Sequence, residues 1–307
     1  SALIVEGSKH KILNLNDCPL NEVTDIKKFK NEHGNFDLLL TQFSYAAWKG
    51  NKDNKNFRKS AAEEKLKTLI NQYKILDCKK VIPFASFIYF SNELNKFMND
   101  EINKPHIMQN YLMKEIDSVI LAPGEEQSID NLKQNDSSIN FWKLEYSKLN
   151  SLPIEKFNNS INFKDLHDEY KNYKNKIFMI NSKFIIFLAS KIKFLKFFQP
   201  LNIFLLDHKK NYELSLINGF KETHRNNYDI SMHSESLRFI FKNDFGYDTL
   251  TVNGCFDASK EGFIKSTRTF AIGSLNSMGL KVNFGLIFNF NLILFFFKLL
   301  KKVSKKL

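Results

Sequence analysis

The stretch FDLLLTQ, residues 36–42, limits the choice of fold more than any other in the chain. Its apolar residues run on without alternation and polar segments bound it, so a strand made from it must be covered on both faces. A layered α/β sheet meets that condition. The neighbouring segments agree with it. Residues 2–6 (ALIVE) and 11–15 (KILNL) are short apolar runs separated by Gly7-Ser8, which predicts a β-hairpin. A charged helical stretch follows at 22–32. From Ser60 onward, Ala62, Leu66, Leu69, Ile70 and Tyr73 recur at the spacing of one helical face, and Ser60 with Glu63 reads as a capping box. KKVIPFASFIYF (79–90) and DSVILAPGEE (117–126) supply further strands. Such alternation predicts an α/β sheet over residues 1–126.

The character changes after Gln127. Residues 127–153 are polar with little periodicity and read as a connector. A long helical region, 154 to about 198, precedes two β-like runs within 202–219 around a Lys-Lys-Asn turn, which predicts a second hairpin. Residues 234–243 read as a helix, DTLTVNG (248–254) as a strand closed by Asn-Gly, and 258–280 as a helix. Residues 154–282 are thus expected to form a smaller α+β domain. Residues 283–307 form a Phe-rich apolar segment and basic tail. Within it, Gly285 to Leu300 is interrupted by Asn289, Asn291 and Lys298 and falls short of the about 20 apolar residues of a membrane span. A packed or interfacial helix making weak membrane contact, a tail anchor and an unfolded tail are the readings left open.

The formal charge of +12 would suit an anionic partner, but the excess is Lys scattered among abundant Asn, Ile and Phe. No Arg-rich stripe or interleaved aromatic patch accompanies it, so compositional bias is preferred to a nucleic-acid surface. Cys18, Cys78 and Cys255 are far apart and lack C-x-x-C spacing, which predicts free thiols and a cytoplasmic protein. The chain opens on Ser1 with no targeting segment, as if it began partway through a protein.

No Gly-rich phosphate loop, H-E-x-x-H, G-x-S-x-G or H-x-H-x-D-H occurs, and no two of the seven histidines are spaced as a metal-ligand pair. The sequence therefore assigns no catalytic residue. What it offers is polar groups at three strand ends: Asn16-Asp17-Cys18, Thr41-Gln42-Phe43-Ser44-Tyr45 and Pro83-Phe84-Ala85-Ser86. In open α/β sheets ligands bind beyond the C-terminal strand ends, so these three predict one cleft, with Gln42, Ser44 and Ser86 beside it. Capping and turn roles are the competing explanation. Tyr45 and Trp48 either line a sugar or nucleotide pocket or pack in the core. Asn95 and Asn99, four apart, either face a polar substrate or cap local structure. His233, beside Ser234 and Glu235 at a helix start, is either a structural histidine or a ligand; His224 and Arg225 read as loop surface.

SALIVEGSKHKILNLNDC resembles the strand pair that opens the second half of the metallo-β-lactamase fold. FDLLLTQFSYAAW, VIPFASFIYFSNELNKFMND and VILAPGE resemble the metallo-hydrolase-like subgroup that includes CMP-N-acetylneuraminate hydroxylase, and MHSESLRFIF, GYDTLTVNGCFD and FAIGSLNSMG resemble its C-terminal region. The resemblance implies the second half of an αβ/βα sandwich plus an α+β extension. It places Asp17 at the carboxylate that bridges two metal ions, zinc or iron, where two oxygens can hold two cations and lower the pKa of a bridging water. It also implies that an H-x-H-x-D-H element lies in a preceding half, and that the protein hydrolyses a small polar substrate carrying sugar or phosphate. Where many relatives end the last strand in a metal-binding His, this chain has Pro83-Phe84-Ala85-Ser86. Two alternatives stand beside the hydrolase: an oxygenase component with a Rieske domain upstream, for which no Cys-His pair is present here, and a non-catalytic or membrane-associated scaffold.

Overall fold

The expected N-terminal hairpin forms from Leu3–Glu6 (β1) and Lys11–Asn14 (β2), paired antiparallel with Leu3 opposite Asn14 and Glu6 opposite Lys11. The structure is a computed structural model, and it describes residues 2–16, 18–192 and 197–285. The chain divides into two compact units, Ser1–Ser91 with Lys96–Ile154 and Asn92–Asn95 with Glu155–Leu307. Each contains one mixed sheet, and the described residues include nine α-helices. The protein is mixed α/β.

In the first unit, helix α1 (Val23–His33) leads to strand β3 (Leu38–Thr41), and helix α2 (Lys55–Leu76) leads to β4 (Lys80–Pro83). The sheet order is β1-β2-β3-β4, with β2, β3 and β4 mutually parallel. Its two faces are unequally covered. Leu13, Leu39 and Val81, in register across three strands, join Ile26, Leu69 and Leu76 in a large buried cluster. On the opposite face, only Leu38, Val119 and Leu132 are fully buried, while Ile12, Leu40 and Ile82 are partly exposed. Leu3 and Val5, which the register puts on that same face, are 58% and 50% exposed. FDLLLTQ thus forms the expected strand, but its two coverings are not equivalent.

Three sequence expectations need correction here. Helix α2 begins at Lys55, so Ser60 lies inside it and caps nothing. Residues 117–126 form only an isolated parallel bridge, Val81 with Ser118, rather than a full strand, because Pro123 and Gly124 turn the chain soon after. The stretch 127–153 holds helix α4 (Asp136–Lys148), after α3 (Pro105–Leu112), and belongs with the first unit. Trp142 anchors α4 by donating to the Leu121 carbonyl at 2.9 Å and stacking on Phe87 at 4.0 Å. A polar surface hid a helix held by a few inward residues.

The second unit has helices α5 (Phe163–Ile180) and α6 (Lys183–Lys191), each N-capped by the residue before it, Asn162 and Ser182. The second hairpin forms as expected from β5 (Leu201–Leu205) and β6 (Lys210–Ser215), extended by β7 (Gly219–Thr223). Strand β8 (Ile230–Met232) lies parallel to β5, followed by α7 (Ser234–Lys242), as expected from 234–243. The predicted strand at 248–254 is instead helix α8 (Gly246–Asn253), ended by Gly254 at φ 72°. The Asn-Gly pair that suggested a hairpin turn is a helix C-terminus, where glycine takes the left-handed conformation without strain. Strand β9 (Phe256–Ala258) and helix α9 (Lys260–Ser277) complete the unit. None of the helices among the described residues is long and apolar enough to cross a membrane. The segment 286–307, most of the predicted tail, lies outside the described residues.

Candidate functional site

The parallel register of β2, β3 and β4 brings their C-terminal ends to one edge, where Leu15 N–H bonds the Leu40 carbonyl and Phe84 N–H bonds the Thr41 carbonyl. Asp17, two residues past Leu15, lies outside the described residues. Its neighbour Asn16 has φ 25° and Ala85, past β4, has φ 56°. Non-glycine residues held in this region cost of order 1 kcal/mol or more each. Two of the three predicted strand ends therefore carry backbone strain.

Two of the side chains predicted to line an open cleft are turned inward instead. Ser44 and Ser86 are 1% and 0% exposed. The Ser86 hydroxyl accepts from Phe43 N–H at 3.1 Å, and the Ser44 hydroxyl accepts from Asn103 N–H at 3.0 Å. Tyr45 is buried and donates to the Met98 carbonyl at 2.6 Å; burial raises its pKa well above the ordinary phenol value. Trp48 is buried too, so both aromatics belong to the core. Gln42 accepts from Lys65 Nζ at 3.0 Å, and Thr41 donates to Gln72, which in turn donates to the Leu20 carbonyl. Polar groups at these strand ends hold the 96–103 segment and the loops beside it rather than face a ligand. Buried polar groups need such partners, and backbone amides of the returning loops supply them.

Asn95 and Asn99 also serve local structure. Asn99 Oδ1 accepts from Phe90 N–H while its Nδ2 donates to the carbonyls of Phe90 and Lys96. Asn95, in the second unit, accepts from Asn92 N–H and donates to the Asn253 carbonyl. Both amides are engaged in these bonds, and Asn99 also lines a cavity in the first unit.

In the second unit, the C-terminal ends of the parallel pair β5 and β8 carry a cluster that sequence reasoning missed. Asp207 Oδ1 accepts from Ser234 N–H at 3.0 Å, and its Oδ2 accepts from the hydroxyls of Ser234 and Ser160 at 2.5 and 2.6 Å. His233 and His208 place Nε2 atoms 3.7 and 3.8 Å from the same oxygen. His208 is already engaged through both ring nitrogens, with the Tyr212 hydroxyl and the Ile161 carbonyl. His233 caps α7 by accepting from Glu235 N–H through Nδ1, and its ring stacks on Phe157 at 4.5 Å. Ile161 N–H and Asn159 N–H bond Ser234 and Glu235, so the cluster clasps residues 157–161 across the strand ends. An Asp directly after a predicted strand, in LLDHKK, was the signal available for it.

Burial pushes the Asp207 carboxyl upward, but the two hydroxyls, the Ser234 amide and the His233 ring outweigh it and hold the group below its ordinary value of 3.8. A depressed carboxylate stabilises the fold above its unfolded pKa and loses that contribution as pH falls through the lower, folded value. Asp207→Asn is therefore expected to flatten the acid limb of stability below about pH 4. Urea midpoints between pH 3 and 6 measure this, and an unchanged acid limb would remove Asp207 as its source.

Among the described residues no three His, Cys, Asp or Glu side chains converge as a metal-binding group. The three cysteines are free thiols; burial raises Cys78 and Cys255 to about 12, which leaves them protonated and unreactive. No family model, curated protein or solved structure matches the chain.

Proposed function

We propose that this chain is the C-terminal portion of a metallo-β-lactamase-fold protein, a metal-dependent hydrolase of a small polar substrate carrying sugar or phosphate. The observation that carries the reading is the poorly covered apolar face of the first sheet, where Leu3, Val5, Ile12, Leu40 and Ile82 remain partly or largely exposed. A sandwich fold covers such a face with a second layer, and a contiguous exposed apolar patch signals a missing partner. Supporting it, the first three segments that resemble the family, SALIVEGSKHKILNLNDC, FDLLLTQFSYAAW and VIPFASFIYFSNELNKFMND, supply adjacent strands of one sheet in chain order: a hairpin, then two parallel strands. The described residues do not make a metal centre by themselves; on this reading the histidine ligands belong to the preceding half and Asp17 is this chain's contribution. The upstream coding sequence is expected to contain H-x-H-x-D-H. In the full-length protein, Asp17→Ala is expected to lower bound metal, measured by elemental analysis. Unchanged stoichiometry would remove Asp17 from the site.

A further inference from the structure

The segment KFMNDEINK, residues 96–104, has two sides. Its inner side binds the strand-end residues Ser44 and Tyr45, as described above. Its acids face α2: Asp100 pairs with Arg58 at 2.8 Å and Glu101 with Lys55 at 3.5 Å. Its two lysines go elsewhere. Lys96 and Lys104 line a cavity of about 220 Å³ in the first unit, together with Asn99, Tyr89, Tyr146 and Leu152. No acidic residue lines it, and neither lysine makes an ion pair among the described residues. Close by, burial first, then Lys104 and Lys143, lower the pKa of His106, whose ring lies 6.0 Å from that of the lining residue Tyr146. The Nδ1 atom of His106 is buried without a hydrogen-bond partner.

Charge has thus been sorted along one short segment, with the carboxylates paired to α2 and two lysines without ion pairs among the residues that line a cavity. We infer that this cavity binds a small phosphomonoester with an apolar or aromatic body. Two ammonium groups match the charge of about −1.5 to −2 that a phosphomonoester carries at neutral pH. The tyrosines and aliphatic side chains supply the surface for the body of the ligand, the usual division in small-molecule sites. The cavity is smaller than the roughly 300–1,000 Å³ of sites for drug-sized ligands, which favours a compact metabolite. The inference rests on the hydrolase reading only for what becomes of the ligand; binding stands apart from any metal.

Calorimetric titration of the chain with phenyl phosphate tests it, with benzoate and phenol as comparison ligands. Phenyl phosphate is expected to bind, to weaken as salt rises, and to bind at least about tenfold less tightly to Lys96→Met/Lys104→Met, a change of about 1.4 kcal/mol. Lys96→Arg/Lys104→Arg should keep most of the affinity. Lys96→Gln alone, changing an exposed side chain, should weaken binding severalfold with circular dichroism unchanged, so a misfolded double variant does not leave the question open. No binding at millimolar phenyl phosphate, equal binding by the Met and Gln variants, or benzoate binding as tightly would each overturn the proposal. Asp17→Ala should leave this affinity unchanged, so failure here and failure of the metal test are separate results.

Discussion

Arg58→Met is expected to destabilise the first unit by about 3–5 kcal/mol, the range for breaking a buried charge pair by removing one partner. Arg58 is 1% exposed, the most enclosed charged side chain described. Its Nε and Nη2 hold both oxygens of Asp100 at 2.8 Å, and Nη1 and Nη2 donate to the carbonyls of Asn51 and Lys52 at 2.7 and 2.8 Å. The guanidinium also lies over the Phe97 ring at 5.0 Å. Methionine fills similar space but leaves Asp100 and two carbonyls without their donor. Asp100 remains 27% exposed and can recruit water, which puts the effect toward the lower end. Thermal unfolding should show a midpoint lowered by several degrees, at about 2–4 °C per kcal/mol for a unit of this size. Arg58→Lys should recover only part of the loss, because one ammonium cannot reproduce a fork that grips a carboxylate and two carbonyls. Full recovery would mean that charge alone, not fork geometry, matters. Because Arg58 fixes the acid side of residues 96–104, the same variant should also weaken phenyl phosphate binding.

What was legible in the sequence follows a physical division. Both hairpins, β3, β4 and α7 were legible because aliphatic runs bounded by turn residues need little besides local chemistry to be strands, and 3.6-residue spacing is specific to helices. DTLTVNG misled because β-branched Thr and Val suit a strand in isolation, while packing of the second unit made the segment helical. The 127–153 stretch misled because α4 is anchored by Trp142 and a few other residues, too few to give a periodic signal. At the site, the polar residues were correctly placed at strand ends but wrongly expected to face a ligand. A sequence shows that Ser44 follows a strand; it does not show that Asn103 N–H, 59 positions away, will arrive to bond it. Lys96 and Lys104 were invisible for a related reason. In a lysine-rich chain they stand out only once Asp100 and Glu101 are seen to pair on the other side.

Gly262→Ala is expected to destabilise the second unit by about 3 kcal/mol or more, the upper end for overpacking. Local propensity argues the other way, since alanine is preferred to glycine inside a helix by about 1 kcal/mol. Geometry decides the sign. Gly262 lies in the first turn of α9, where its N–H bonds the capping Ser259 hydroxyl at 3.0 Å. A Cβ there would sit 1.8 Å from the Asp229 carbonyl oxygen and 2.6 Å from its carbonyl carbon. Asp229 cannot easily yield: its N–H bonds the Asn202 carbonyl, and its carboxylate accepts from Asn202 N–H and Lys265 Nζ. The obstruction is backbone held from several directions, not the end of a flexible side chain. Gly273, further along α9, provides the contrast, because its Cβ would meet the Asp244 carbonyl oxygen at 3.0 Å and its carbonyl carbon at an ordinary 3.9 Å. There the propensity gain and a small shift should nearly cancel, leaving Gly273→Ala within about 0.5 kcal/mol of the parent. Urea unfolding of both variants checks the ranking. Similar stabilities would mean that α9 can slide on β8 and that the close approach at Gly262 does not fix its position.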